Sequence, residues 1–136
     1  MKLNKIKRNL FYIGAVGVSI CLLFFFVLGT WIGYEVKVQC QEAAREYEGG
    51  CVEALMAQVD DDEASYRDRN RAIWALGQLG DGRALSVLEK YYTGEIPERE
   101  PVDKMISQYE LKKAINLAGG GVNIGAWVWR GMVEGE

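Results

Sequence analysis

The spacing of apolar positions divides the chain into two regimes. Residues 10 to 34, LFYIGAVGVSICLLFFFVLGTWIGY, carry no charge over 25 positions. From residue 36 onward, apolar side chains instead return every three or four positions, the spacing that gathers them on one face of a helix. At ~1.5 Å per residue the uncharged run makes a helix ~37 Å long, enough to cross a hydrocarbon core of ~30 Å with some tilt. A cleavable secretory signal has an apolar stretch of roughly 7 to 15 residues ended by small side chains. Here the stretch is longer and leads into Trp31, Ile32, Gly33 and Tyr34, so an uncleaved anchor is expected. Cys21 follows Ile20 in mid-run and lacks the small residues that precede a lipid-modified cysteine. Lys2, Lys5, Lys7 and Arg8 precede the run, while Lys37 beyond it is offset by Glu35. That bias predicts a cytoplasmic N-terminus, with residues 36 to 136 on the extracytoplasmic side. Tyr12, Trp31 and Tyr34 suit the two headgroup layers. The pairs Gly29–Gly33 and Gly17–Cys21 have the small-xxx-small spacing by which two such spans could pack as a homodimer.

In the second regime the clearest pattern runs from Asn70 to Leu88. Ala72, Ile73, Ala75, Leu76 and Leu79 give one helical face, leaving Arg67, Asp68, Arg69 and Gln78 for solvent. Gly80 suits a helix C-terminus and Asp81 the cap of the next helix, whose stripe is Ala84, Leu85, Val87, Leu88 and Tyr91. Upstream, Val52, Leu55, Met56 and Val59 share a face, as the second helix of a preceding hairpin would. Downstream, Met105, Ile106, Tyr109, Leu111, Ala114, Ile115, Leu117 and Ala118 mark a further helix ending at Gly119 to Gly121. The predicted organisation is a basic tail at 1–9, a transmembrane helix at 10–34, a helical repeat domain at 36–118, and a Gly-rich turn with a Trp-containing tail at 119–136. Two hairpin units and a closing helix are expected, the flanking helices covering the ends.

The pattern A-x-x-A-L-G-x-L-G-D-x-R-A-x-x-x-L, met at Ala72, Ala75, Leu76, Gly77, Leu79, Gly80, Asp81, Arg83, Ala84 and Leu88, resembles the HEAT repeat in the short form shared by bacterial HEAT-like proteins, bilin lyase relatives included. The resemblance implies a right-handed α-solenoid used as a protein-binding surface, with Asp81 and Arg83 tying neighbouring repeats together. A proline is common in that family where Ser86 stands, so the second helix is expected to begin less sharply. The chain as a whole resembles small bacterial proteins that join an N-terminal span to one HEAT-like domain.

Charge and chemistry narrow the reading further. Setting aside the tail's four basic residues leaves twelve Lys or Arg against nineteen Asp or Glu, an acidic balance that argues against nucleic acid or anionic lipid headgroups as the main ligand. Histidine is absent, which removes the commonest general base and metal ligand. None of the four serines lies in a Gly-x-Ser-x-Gly elbow. No catalytic, cofactor or metal site is expected. Cys40 and Cys51 form a disulfide in an oxidising compartment or remain as two buried thiols. Bridged Cα atoms lie within roughly 7 Å, so the bridge requires the preceding helix to end early or the loop to fold back. Asp60 to Glu63 lacks the alternate spacing and glycine of a calcium loop and reads as a solvated connection. Glu95 to Pro101 is a stiff connector set by its two prolines, with Tyr91, Tyr92 and Tyr109 packed around it. In the tail, Ile124, Ala126 and Val128 alternate with Trp127 and Trp129. An extended tail of that kind needs cover, by folding back over the last helix, by lying on the membrane interface, or by docking into a partner.

The fold class expected is all-α, one transmembrane helix followed by a short solenoid. The expected role is a membrane-anchored, non-catalytic scaffold or adaptor held in the bilayer by residues 10–34. It would bind a protein partner through Arg67, Arg71, Trp74, Trp127 and Trp129. An accessory subunit of a larger membrane complex is the alternative, and a bilin lyase-like activity a distant third.

Overall fold

A computed structural model describes residues 2 to 133. They are helical throughout their regular elements: α1 Lys2–Glu46, α2 Cys51–Asp60, α3 Tyr66–Leu79, α4 Leu85–Tyr91, α5 Gln108–Ala118 and α6 Ala126–Val133. No strand occurs among the described residues. The apolar run does not end at a linker. Residues 35 to 46 contain neither Gly nor Pro, so α1 continues through the change in composition and supplies the first helix of the domain. Gly29, Gly33, Val36, Cys40 and Ala43, spaced alternately by four and three, are all buried and make one strip along α1. The missing partner of α2 in the upstream hairpin is therefore the end of the membrane-type helix itself.

The tail is not extended. Ala126, Trp129 and Val133 fall at helical spacing, and α6 turns back onto α1. Its seat is the glycine pair: a Cβ on Gly33 would stand 2.5 Å from the Trp129 Cβ, and one on Gly29 would stand 3.2 Å from that of Val128. The Gly29–Gly33 spacing read as a self-association motif is thus filled from within the chain. Gly17 and Cys21 stay exposed, with nothing within 4 Å of a Cβ at Gly17.

Cys40 and Cys51 are bridged, their Cα atoms 4.8 Å apart. The helix does not end early. The loop folds back through Gly49, at φ 111°, and starts α2 beside Cys40. Closing a loop of 11 residues' separation restricts the unfolded chain by about 3 kcal/mol on the chain-entropy estimate. Unfolding of the full chain with and without reductant should differ by about that amount, and Cys51→Ser should lose the difference.

The acidic run after α2 is a junction. Asp60 accepts from Lys90 Nζ at 2.5 Å and from the Tyr91 hydroxyl at 2.7 Å. Asp61 accepts from the Tyr47 hydroxyl at 2.7 Å, and Asp62 pairs with Arg69 at 3.2 Å. Arg69, expected in solvent, is buried: its Nε–H donates to the Val59 carbonyl at 2.9 Å and its guanidinium lies 5.0 Å from the Tyr91 ring centre. Its long side chain crosses from α3 to the α2–α4 side because Val59 ends α2 with a free carbonyl there.

These contacts set a pH dependence. Hydrogen bonds from Lys90 and Tyr91 hold Asp60 below its usual 3.8, that from Tyr47 does so for Asp61, and that from the Arg83 side chain does so for Asp81. The hydrogen bond to Asp61, helped by burial, raises the Tyr47 phenol to about 12. A lowered carboxylate stabilises the fold above the unfolded value and ceases to do so as pH falls through the folded one. A raised phenol stabilises it below 10.0 and ceases to do so on the way to about 12. Thermal stability should be level across neutral pH, fall below ~4 and fall again above ~10. Tyr47→Phe should remove the Tyr47 share of the alkaline fall and leave that of Tyr91, whose phenol is raised by its hydrogen bond to Asp60.

Helix ends follow the sequence closely. Ser65 accepts from the Asp68 amide to cap α3, and Gly80, at φ 65°, closes it. Asp81 caps a single 3₁₀ turn, Gly82–Ala84, through which α4 begins. Ser107 caps α5, and the Glu100 carboxylate accepts from the Ser107 hydroxyl and the Gln108 amide, an anion at the positive end of that helix. α3 and α5 are in close contact because Gly77 has no side chain: a Cβ there would lie 2.8 Å from the Ala114 Cα.

Candidate protein-binding groove

One side of α3 carries Arg67, Arg71 and Trp74, about one turn apart, with the buried Asn70 beside them, and two depressions open there. The first, ≈ 390 Å³, is lined by Arg67, Asn70, Arg71, Trp74, Val102 and Glu110, between α3, the connector and α5. The second, ≈ 270 Å³, lies between α3 and α1 and is lined by Glu35, Val38, Gln39, Glu42, Arg71 and Trp74. Arg71 and Trp74 belong to both and form the ridge between them. Trp74 is half-buried, its ring packed against the core on one side, which leaves an amphipathic surface of the type favoured at binding hot spots.

Three of the five residues expected to bind a partner, Arg67, Arg71 and Trp74, are therefore adjacent. The other two are elsewhere. Trp129 is fully buried against Gly33 and cannot meet a partner in the folded chain. Trp127 is 85 % exposed but lines neither depression.

The groove is electrostatically mixed. Arg71 stands 4.0 Å from Asp68, the Glu110 carboxylate accepts from Lys113 at 3.1 Å, and Glu35 and Glu42 place acid along the α1 wall. The wall residues Val102, Glu110, Glu35 and Glu42 come from segments distant in sequence. The seven-residue spacing of Glu35 and Glu42, two turns apart on one side of a helix, was the signal available for them.

At the other end of the motif, Asp81 accepts from the Arg83 backbone amide at 2.9 Å and from its guanidinium at 2.7 Å. Arg83 also reaches across to the Glu53 carboxylate on α2. The pair thus lies between the α3–α4 hairpin and the helix before it, where inter-repeat residues would lie. Residues 68–93, which cover α3 from its third residue, the 3₁₀ turn and α4, match the PBS lyase HEAT-like repeat. The chain carries a HEAT-like repeat. No curated protein and no solved structure matches the chain. The HEAT-like repeat thus spans nearly all of the α3–α4 hairpin, and the groove opens on its first helix, against α1 on one side and α5 on the other. Among the described residues no three His, Cys, Asp or Glu side chains are grouped to hold a metal ion.

Proposed function

We propose that this chain is a membrane-anchored HEAT-like repeat protein that recruits a protein partner, without catalysis, to the groove of Arg67, Arg71 and Trp74. The observation that carries this reading is the half-buried Trp74, next along α3 to Arg71 and Arg67, at the meeting of two depressions. Support for the anchor is the 25-residue uncharged run, whose side chains are largely exposed along α1. In that arrangement the four basic residues of the tail stay in the cytoplasm and the repeat stands outside. The α1 wall of the groove begins at Glu35, one residue beyond the run, so the groove opens within ~12 Å of the bilayer surface. A partner's juxtamembrane segment would fit such a place.

The name of the matched family mentions a lyase. Such chemistry needs a reactive group in a pocket, and the groove offers arginines, an asparagine, a tryptophan and a carboxylate already engaged by Lys113. The accessory-subunit reading draws support from Gly14 and Gly17, where nothing lies within 4 Å of an added Cβ; with Cys21 they leave a small-residue strip open on α1.

Crosslinking of the full chain in its native membrane, followed by mass spectrometry, tests both readings. Links from residues 67 to 74 to one neighbour, reduced about tenfold by Arg67→Glu with Arg71→Glu, are the expected result. Links confined to residues 10–28 would overturn the groove in favour of the accessory role.

A further inference from the structure

We propose that α6 is an interfacial helix: its outer side, with Trp127, and the turn before it, with Ile124 and Val122, lie in the headgroup and acyl boundary of the bilayer, giving the domain a second attachment beside α1. The inference rests on the anchoring reading above and adds to it where the domain's free apolar surface goes.

Helical geometry places that side. Val128 meets Gly29, and Trp129 meets Gly33, one turn nearer the domain. α6 therefore lies across α1 with those two side chains straddling the contact. Successive side chains are rotated by ~100°, so residue 130 follows Trp129 round to the domain side. Arg130 is found there, donating to the Gln78 carbonyl from Nη2 at 2.9 Å. Trp127, ~200° round the helix from Trp129, therefore falls on the outer face of α6, away from the buried Trp129 and beside Arg130. Ala126 and Trp129, on the domain side, are fully buried. Trp127 is 85 % exposed, and Ile124 and Val122, in the turn before it, are 69 % and 86 % exposed.

The depth agrees. Gly29 lies five residues inside the end of the uncharged run, ~7.5 Å below it along the helix axis, so Val128 sits at the level of the last apolar turn. Trp31 and Tyr34, both exposed on α1, occupy the same level with rings suited to that layer. No charged side chain lies among residues 122 to 129. A short helix with one apolar side toward hydrocarbon and the other packed on its own domain is the pattern of a helix lying in the interface plane. The lipid bilayer is the occupant that this depth favours, because α6 crosses α1 at Gly29 and Gly33, the level of the last apolar turn of the span.

The test uses nitroxide-labelled full chain in phosphatidylcholine vesicles, with relaxation by oxygen, concentrated in the bilayer, compared with relaxation by a water-soluble nickel chelate. Labels are placed on native Cys21, and on Trp127→Cys or Ile124→Cys in a Cys21→Ser background, with Glu98→Cys as the water reference. Cys21→Ser alone should take up no label. Oxygen should dominate at Cys21, and the oxygen-to-nickel ratio at 127 and 124 should exceed that at 98 by about tenfold. Nickel access at 127 and 124 equal to that at 98, with Cys21 still oxygen-dominated, would overturn the interfacial helix and leave the anchor standing. Nickel access at Cys21 as well would remove the anchor, and the inference with it. Shielding of 127 from both reagents would mean cover by a second copy of the chain, and would also overturn the proposal.

Discussion

Trp129→Ala should release α6 from α1 at a cost of about 3–5 kcal/mol, the range for removing a fully buried tryptophan. An eight-residue helix is too short to persist by itself in water, so α6 depends on this packing. α2, α3, α4 and α5 form their own contacts without α6, and the loss should be local. Limited trypsin digestion of the full chain in detergent is the readout, since Arg130 is the only basic residue in α6. Cleavage there should become at least a hundredfold faster, while far-UV dichroism changes only slightly. The indole N–H of Trp129 has no hydrogen-bond partner among the described residues, so its contribution comes from area and shape, and Trp129→Phe should be far milder than Trp129→Ala. Gly33→Leu examines the contact from the other side. Leucine makes the run more apolar and cannot impair insertion, but its Cβ would fall 2.5 Å from that of Trp129. If Gly33→Leu leaves Arg130 protected, α6 is not held by the glycine seat.

How far the sequence reveals this arrangement depends on the range of each interaction. Local signals were sufficient for α3, its cap at Ser65, its stop at Gly80 and the turn at Asp81, because each rests on residues within four positions of one another. The closing helix was readable for the same reason, although Met105 and Ile106 precede its start at Gln108. The tail misled because five residues of alternation, Ile124 to Val128, look like a strand; the helical spacing appears only when Val133 is included. Gly33 and Trp129 are 96 positions apart, and nothing near either announces the other. The acidic run reads as solvated because like charges in sequence repel, yet Asp60, Asp61 and Asp62 each meet a different partner, on α4, just after α1 and on α3. For the groove, Arg67, Arg71 and Trp74 were legible as one helical face. Its walls were not, since they arise where α1 and the connector come to rest.

Asn70 should be as costly to replace as any polar residue in the domain. It is buried, and its amide fastens the connector between α4 and α5. Nδ2 donates to the carbonyls of Val102 and Met105, both at 2.9 Å, and Oδ1 accepts from the Ser107 amide at 2.8 Å. Three of the four hydrogen-bonding places of the side chain are thus used, on a segment with no regular structure of its own. Asn70→Ala would strip these partners, of which Ser107 is 98 % buried, and should destabilise by about 2–4 kcal/mol, lowering Tm by roughly 10 °C or more. Asn70→Asp separates hydrogen bonding from packing. Its ionised carboxylate would face two carbonyl oxygens and could donate to neither, so its folded-state pKa should lie above the unfolded one. Its stability relative to Asn70→Ala should then be best below ~4 and should decline as pH rises, whereas Asn70→Ala should follow the pH profile of the parent chain. Parallel pH profiles for the two variants would show that Asn70 acts by filling space. The connector supplies Val102 to the groove wall, so both substitutions should also weaken partner capture, linking this one buried amide to the surface through which the chain is proposed to act.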